Sequence, residues 1–502
     1  MAGKDHTLDQ ALEAMTAEEL RGFVREALRT LDDVPRAKLQ DVLIARAATG
    51  RAGWKPAAPS SRLLDEVRGF VASAVRAGSA DPEDVDRFLR QGTRAYLAGD
   101  YVTARGVFET LLPPIGDATI DLGQHEMVDE VLTVEIHTCA TQYVVSVYWT
   151  TALEARAEAI HRAMDAVRSV ALIGMPIREM ELVATAPLPD LDAFLPRWLR
   201  YLERSAPPKD KWDYEGDARL REAAMRVEGV PGLERLARET RKPEALSAWC
   251  SALFEAGDWS GALRACEAAA EMSREAYWRG DFLDDAALAA KQLGHSDADL
   301  RLEAAWRGAP SLQRLQRWLG AGSPEGATVV ERAKQAFEHC PRTAGRQRGL
   351  LCYLTGDARR AAALLARAPG LGWSDEEHPG HLLFSAFAAM LTEGSGTTLD
   401  PALWESLRER SWTAIHGDGD WGDPGEDDGT GRTGGAASLK LDTPSAPDLF
   451  ALARPGIGLD SRDRAAVLKA MRAAATKRTQ GVLANKRRRH YGHAAALVAC
   501  CL

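Results

Sequence analysis

The 502-residue sequence predicts an all-α protein, an irregular α-solenoid of stacked helical hairpins with a flexible acidic loop and a basic C-terminal helical tail. Three observations predict it. One short pattern, an aromatic, two residues, Gly-Asp, three residues, then Ala, occurs at Tyr96–Ala104, Phe254–Ala262 and Tyr353–Ala361. Ala and Leu dominate, while the Val/Ile alternation of a sheet is nearly absent. Finally, Gly257, Gly294, Gly322 and Gly356 are spaced 37, 28 and 34 residues apart, the scale on which helix pairs repeat when each buries its apolar face against its neighbours.

The repeated stretch reads as one helix ending and the next beginning. Gly tolerates the left-handed backbone that closes a helix, and the following Asp accepts hydrogen bonds from the unpaired amides of the next one. Gly99-Asp100, Gly257-Asp258 and Gly356-Asp357 are therefore expected to be tight turns between antiparallel helices. After each turn, Ala104/Phe108, Ala262/Cys266 and Ala361/Leu365 stand four apart on one stripe. Leu293-Gly294 with Ala298 is a weaker copy without the Asp.

These residues resemble the tetratricopeptide family, with Gly99, Asp100, Tyr101, Ala104, Phe108 and Pro113 matching its pattern best. Gly257, Asp258, Trp259, Ala262 and Ala269 follow, and the third copy departs from it at Ala358 and Leu365. The resemblance implies a helical-repeat surface that holds a protein partner. A fainter resemblance, carried by EALSAWCSALFEAGDWSGALRACEAA, GAPSLQRLQRWLGAG and NKRRRHYGHAAALVACC, is to the helical regions that accompany bacterial SWIM-type zinc fingers. The finger itself is missing, and zinc or DNA binding through it is not implied.

In chain order, residues 1–55 read as an N-terminal helical cap. Leu8, Leu12 and Met15 recur at helical spacing, and Thr16 with Glu19 makes a capping box. Residues 61–205 form a first helical block with one repeat. Within it VDEVLTVEIHTCATQYVVSVYWTT is expected to be a buried helix, because Val128, Val131, Leu132, Ile136, Cys139 and Tyr143 follow a three-or-four step. A polar linker, 206–216, precedes the helical-repeat block, 217–415, in which Ser311 is expected to cap a helix through Leu319. Residues 416–450 form a Gly-rich acidic loop with six carboxylates between Asp418 and Asp428, too polar to offset the entropy of ordering. Residues 455–502 return to helix, with ten basic residues between Arg462 and Arg489 against one acid, Asp463.

The net charge of −9 disfavours nucleic acid as a partner of the whole chain. Seven scattered cysteines without a Cys-x-x-Cys pair point to a reducing compartment. No stretch of about 18 apolar residues occurs, and MAGKDHTLDQALEAM lacks the order of a secretion signal; a cytoplasmic protein with no membrane partner is expected.

Sites of chemistry are sparse. His125-Glu126 begins like a zinc-protease helix, but Asp129 stands where the second imidazole belongs. Asp375, Glu376, Glu377, His378 and His381 collect metal-ligand types, yet Pro379-Gly380 keeps the imidazoles off one helix face. Asp418, Asp420 and Asp423 suggest a calcium loop, but Gly422 falls where a ligand is needed. His137 and Cys139 would point apart on a helix. Neither a catalytic residue nor a cofactor or metal site is expected.

The expected function is a non-enzymatic scaffold or adaptor for a protein partner. The alternative is a nucleic-acid-associated or stress- and antiviral-defence regulator. In that reading Lys486, Arg487, Arg488 and Arg489 bind polyanions, and a cut at Arg432 in the 417–440 loop controls the tail. An enzyme whose site is assembled from distant residues is a third reading.

Overall fold

The computed structural model describes residues 6–50, 53–125, 127–205, 213–373, 375, 377–392, 440–453 and 460–502. Among them the regular elements are helices, consecutive helices pack on one another, and one isolated bridge joins Ser79 to Asp121. The fold is all-α and solenoid-like, as the sequence predicts. The acidic carboxylates Asp418, Asp420 and Asp423, together with Arg432, lie outside the described residues.

Two compact units divide the chain, residues 1–232 and 233–502. The first holds α1 (His6–Ala14), α2 (Ala17–Thr30), α3 (Asp33–Thr49), α4 (Leu63–Ala77), α5 (Pro82–Ala98), α6 (Tyr101–Gly116), α7 (Ile136–Thr150), α8 (Leu153–Val167), α9 (Pro176–Val183), α10 (Leu191–Ser205) and α11 (Tyr214–Glu228). Thr16 and Glu19 close the expected capping box at α2. The α5/α6 hairpin is the centre of the unit: α6 packs on α4, α5 and α7, and Tyr96, Ala104 and Phe108 are wholly buried. Gly92 on α5 leaves room for Phe108 and Val107, which a Cβ there would meet at 2.9 Å.

The helix expected from Val128 starts only at Ile136; residues 128–130 form a single 3₁₀ turn. The cause lies in α5. The buried Asp86 carboxylate accepts hydrogen bonds from the Thr133 amide at 3.0 and 3.1 Å, the Val134 amide at 3.2 Å and the Thr133 hydroxyl, replacing the helical acceptors. Val128, Leu132 and Val134 are buried nonetheless, so their spacing reflects burial of an irregular segment.

α12 (Val230–Thr240) spans the division, and the second unit continues with α13 (Pro243–Glu255), α14 (Trp259–Met272), α15 (Ala276–Gln292), α16 (Ala298–Gly308), α17 (Leu312–Leu319), α18 (Gly326–His339), α19 (Gly345–Leu354), α20 (Ala358–Arg367) and α21 (Gly380–Thr392). It closes with α22 (Ala446–Ala453), α23 (Ser461–Ala484) and α24 (Tyr491–Ala499). One continuous core runs from Trp306, Leu315 and Trp318 through Leu350, Leu365 and Phe387 to Met471 and Leu497.

The three Gly-Asp turns share one geometry. Gly99, Gly257 and Gly356 have φ of 86°, 69° and 74°. The next residues, Asp100, Asp258 and Asp357, have φ/ψ of −85°/71°, −79°/75° and −84°/69°. Each Asp amide donates to the carbonyl five residues back, and each carboxylate accepts from the amide three residues on, at 3.1, 2.8 and 3.0 Å. The carboxylate thus serves as the N-cap of the second helix in all three hairpins.

Candidate functional site: a cationic hollow on the repeat surface

α18, α19 and α20 frame an open hollow of about 530 Å³ whose lining includes Lys334, Phe337, Glu338, Arg342, Arg348, Asp357 and Arg360. Phe337 is its floor. The Arg348 and Arg360 guanidinium carbons lie 4.3 and 4.1 Å from the ring centroid, so one aromatic face-to-cation arrangement orients both groups. Arg348 Nη1 also donates to the Cys340 carbonyl at 3.0 Å. Lys334, Arg342 and Arg360 are exposed. Asp357 caps α20 through the Arg360 amide. The balance of the hollow is cationic, and planar guanidinium donors suit carboxylates.

Two thiols border it, Cys340 and Cys352, but burial pushes them up to about 12 and about 11. Protonated thiols of this kind are not nucleophiles.

The histidines considered as metal ligands are engaged otherwise. His378 Nδ1 accepts from the Gly380 amide and Nε2 lies 3.0 Å from the Pro369 carbonyl, which fixes a neutral ring with its proton on Nε2. His381 and His493 stack at 6.0 Å beside Trp373, and burial together with nearby Arg346 pushes His381 down to about 4. Among the described residues no group of three or more His, Cys, Asp and Glu is arranged to hold a metal.

His137 and Cys139 do not meet. His137 Nε2 lies 3.2 Å from Glu179, whose hydrogen bond raises its pKa, while buried Cys139 faces Thr93 and is pushed up to about 12. His125 donates its amide to Glu130, and Asp129 sits in the 3₁₀ turn; Glu126 lies outside the described residues.

Two sets of cations in the basic tail differ in what they meet. Arg464, Arg472, Lys477 and Arg478 donate to the carbonyls of Leu391, Cys501, Ala366 and Gly370, so these cations secure chain ends and turns in the unit. Lys486, Arg487, Arg488 and Arg489 are exposed, on a turn between α23 and α24. Its backbone repeats the Gly-Asp turns: the Arg487 amide donates to the Val482 carbonyl, with φ/ψ of −81°/71°. Lys486, at φ 51°, occupies the position that Gly fills elsewhere.

Glu222 and Arg314 are among the buried charged groups that sequence reasoning missed. Glu222 on α11 accepts from the amides of Ile177 and Arg178 at the start of α9, and desolvation pushes it up to about 7. Arg314 on α17 pairs with Asp281 at 2.6 Å and Asp284 at 2.8 Å on α15. Partners 30 to 45 residues away leave no local signal. Comparison with protein-family models, curated proteins and solved structures gives no match to this chain.

Proposed function

We propose that this chain is a non-enzymatic helical-repeat scaffold, related in kind to tetratricopeptide proteins, that holds an acidic segment of a protein partner in the Phe337 hollow. The carrying observation is the pair of guanidinium groups, Arg348 and Arg360, held over one ring in an open cationic surface. An open hollow suits a peptide segment better than a small molecule, which is normally enclosed. Seven free thiols support a reducing, cytoplasmic setting. No described helix is long and apolar enough to cross a membrane.

The test is fluorescence anisotropy with a labelled Glu-rich peptide. The unaltered chain is expected to bind it in a salt-sensitive manner, and Arg348→Ala with Arg360→Ala to weaken binding about tenfold or more, as expected for loss of two charge-assisted contacts. Equal binding by the variant would refute the reading. A second reading, polyanion binding through Lys486–Arg489, is favoured by their shared exposure on one turn. Replacing all four by Ala and measuring retention on heparin separates it from the first.

A further inference from the structure

Residues 440–445 form a leg without regular secondary structure that leads into α22. The leg is held by side chains: Asp442 Oδ2 meets Lys291 Nζ of α15 at 2.5 Å, and Arg317 Nε of α17 donates to Thr443 Oγ1 at 2.9 Å. Pro444 rests on Gly320, where a Cβ would collide with its ring. Among the described residues, positions 440–444 make no backbone-to-backbone hydrogen bond. Ser445 then turns the chain into α22, its amide and hydroxyl donating to Asp448 Oδ2 while the Asp448 amide donates back to Ser445 Oγ. α22 buries Ala446 and Leu449 and sets Phe450 against Tyr353 with ring centroids 4.1 Å apart. At Gly326 a side chain would collide with the Leu452 carbonyl.

The receiving surface therefore has one glycine clearing space for a proline ring and another for a crossing backbone, two cations reaching a carboxylate and a hydroxyl, and an aromatic wall for a Phe. Grooves that receive a helical segment read its apolar anchors. We infer that this surface is a docking groove for a segment of a partner protein with this chemistry: Asp-Thr-Pro-Ser followed by a helical turn carrying Leu-Phe anchors. Residues 440–453 occupy it as the chain's own competing ligand. None of Lys291, Arg317, Gly320, Gly326 and Tyr353 lines the Phe337 hollow. Tethering gives the internal segment an effective concentration on the order of millimolar, so an external ligand gains access in proportion to how far that segment is weakened.

The experiment titrates a fluorescein-labelled peptide of residues 440–453 against the full chain. Leu449→Ala with Phe450→Ala, which weakens the internal segment, is expected to bind the peptide about tenfold more tightly or better than the unaltered chain. Adding Lys291→Ala is expected to remove part of that gain, and Arg348→Ala with Arg360→Ala to leave it unchanged. A Leu449→Ala/Phe450→Ala chain with native circular dichroism that binds no better than the unaltered one overturns the inference. If that variant loses its helical signal, hydrogen exchange on the unaltered chain decides. The Leu449–Leu452 amides are expected to exchange about tenfold faster than those of α19, or more, through local opening; equal protection overturns the inference.

Discussion

Each Gly-Asp turn assigns one conformational and one hydrogen-bonding task to adjacent residues. Gly257→Ala places a Cβ on a backbone at φ 69° and is expected to cost about 1 kcal/mol. Asp258→Ala removes the acceptor for the Gly261 amide and is expected to cost about the same. Lys486 tests the argument in reverse: at φ 51° it carries the strain that Gly avoids, so Lys486→Gly is expected to stabilise the protein by about 1 kcal/mol in urea unfolding. His381 adds a pH dependence. Its folded pKa is depressed to about 4 by burial, so below the ordinary value of 6.5 the unfolded chain takes up the proton and the folded one does not. The stability His381 contributes is present above pH 6.5 and lost as pH falls toward 4. The loss is on the order of 3 kcal/mol by linkage. His381→Leu is expected to flatten urea midpoints across that window; an unchanged slope would show that another group dominates.

Among elements, one buried charge network joins α15 to α17. Arg314 reaches Asp281 and Asp284, Arg317 also reaches Asp284 at 3.0 Å, and Gly280 is side-chain-free where the Arg314 guanidinium crosses α15. Gly280→Ala is expected to destabilise by about 2 kcal/mol through overpacking. Asp284→Ala leaves two guanidinium groups short of a partner and is expected to cost about 3 kcal/mol. Combining it with Arg314→Met should recover part of that loss, a coupling that a double-mutant cycle measures. The start of α7 follows the same logic. Asp86 draws the Thr133 and Val134 amides out of any helix, although the apolar spacing around them reads as helical.

Within the second unit as a whole, the C-terminal helices are part of the core. Val467, Ala470, Met471, Ala474, Ala475 and Val482 of α23 are buried, and α23 packs on α20, α21 and α24. A cut at Arg432 is accordingly expected to leave both fragments in one particle, co-eluting in gel filtration and separating only in denaturant. A freely eluting C-terminal fragment would contradict this packing. Control of the basic turn by cleavage would then require a second event that opens the α20–α23 contact.

The sequence by itself determined the helical class, the three Gly-Asp turns and their caps, and the capping box at Thr16, because each depends on residues within about five positions of one another. Tertiary structure alone decided which charges remain outward. Lys477 reaches the Ala366 carbonyl 111 residues away, while Lys486–Arg489 meet solvent, and nothing in the basic run distinguishes them. It also decided that Arg348 and Arg360 share Phe337 and that residues 440–453 meet Lys291, Arg317 and Tyr353. The physical reason is range. Backbone turns are settled by neighbours along the chain, whereas recognition surfaces arise where separate helices bring side chains together.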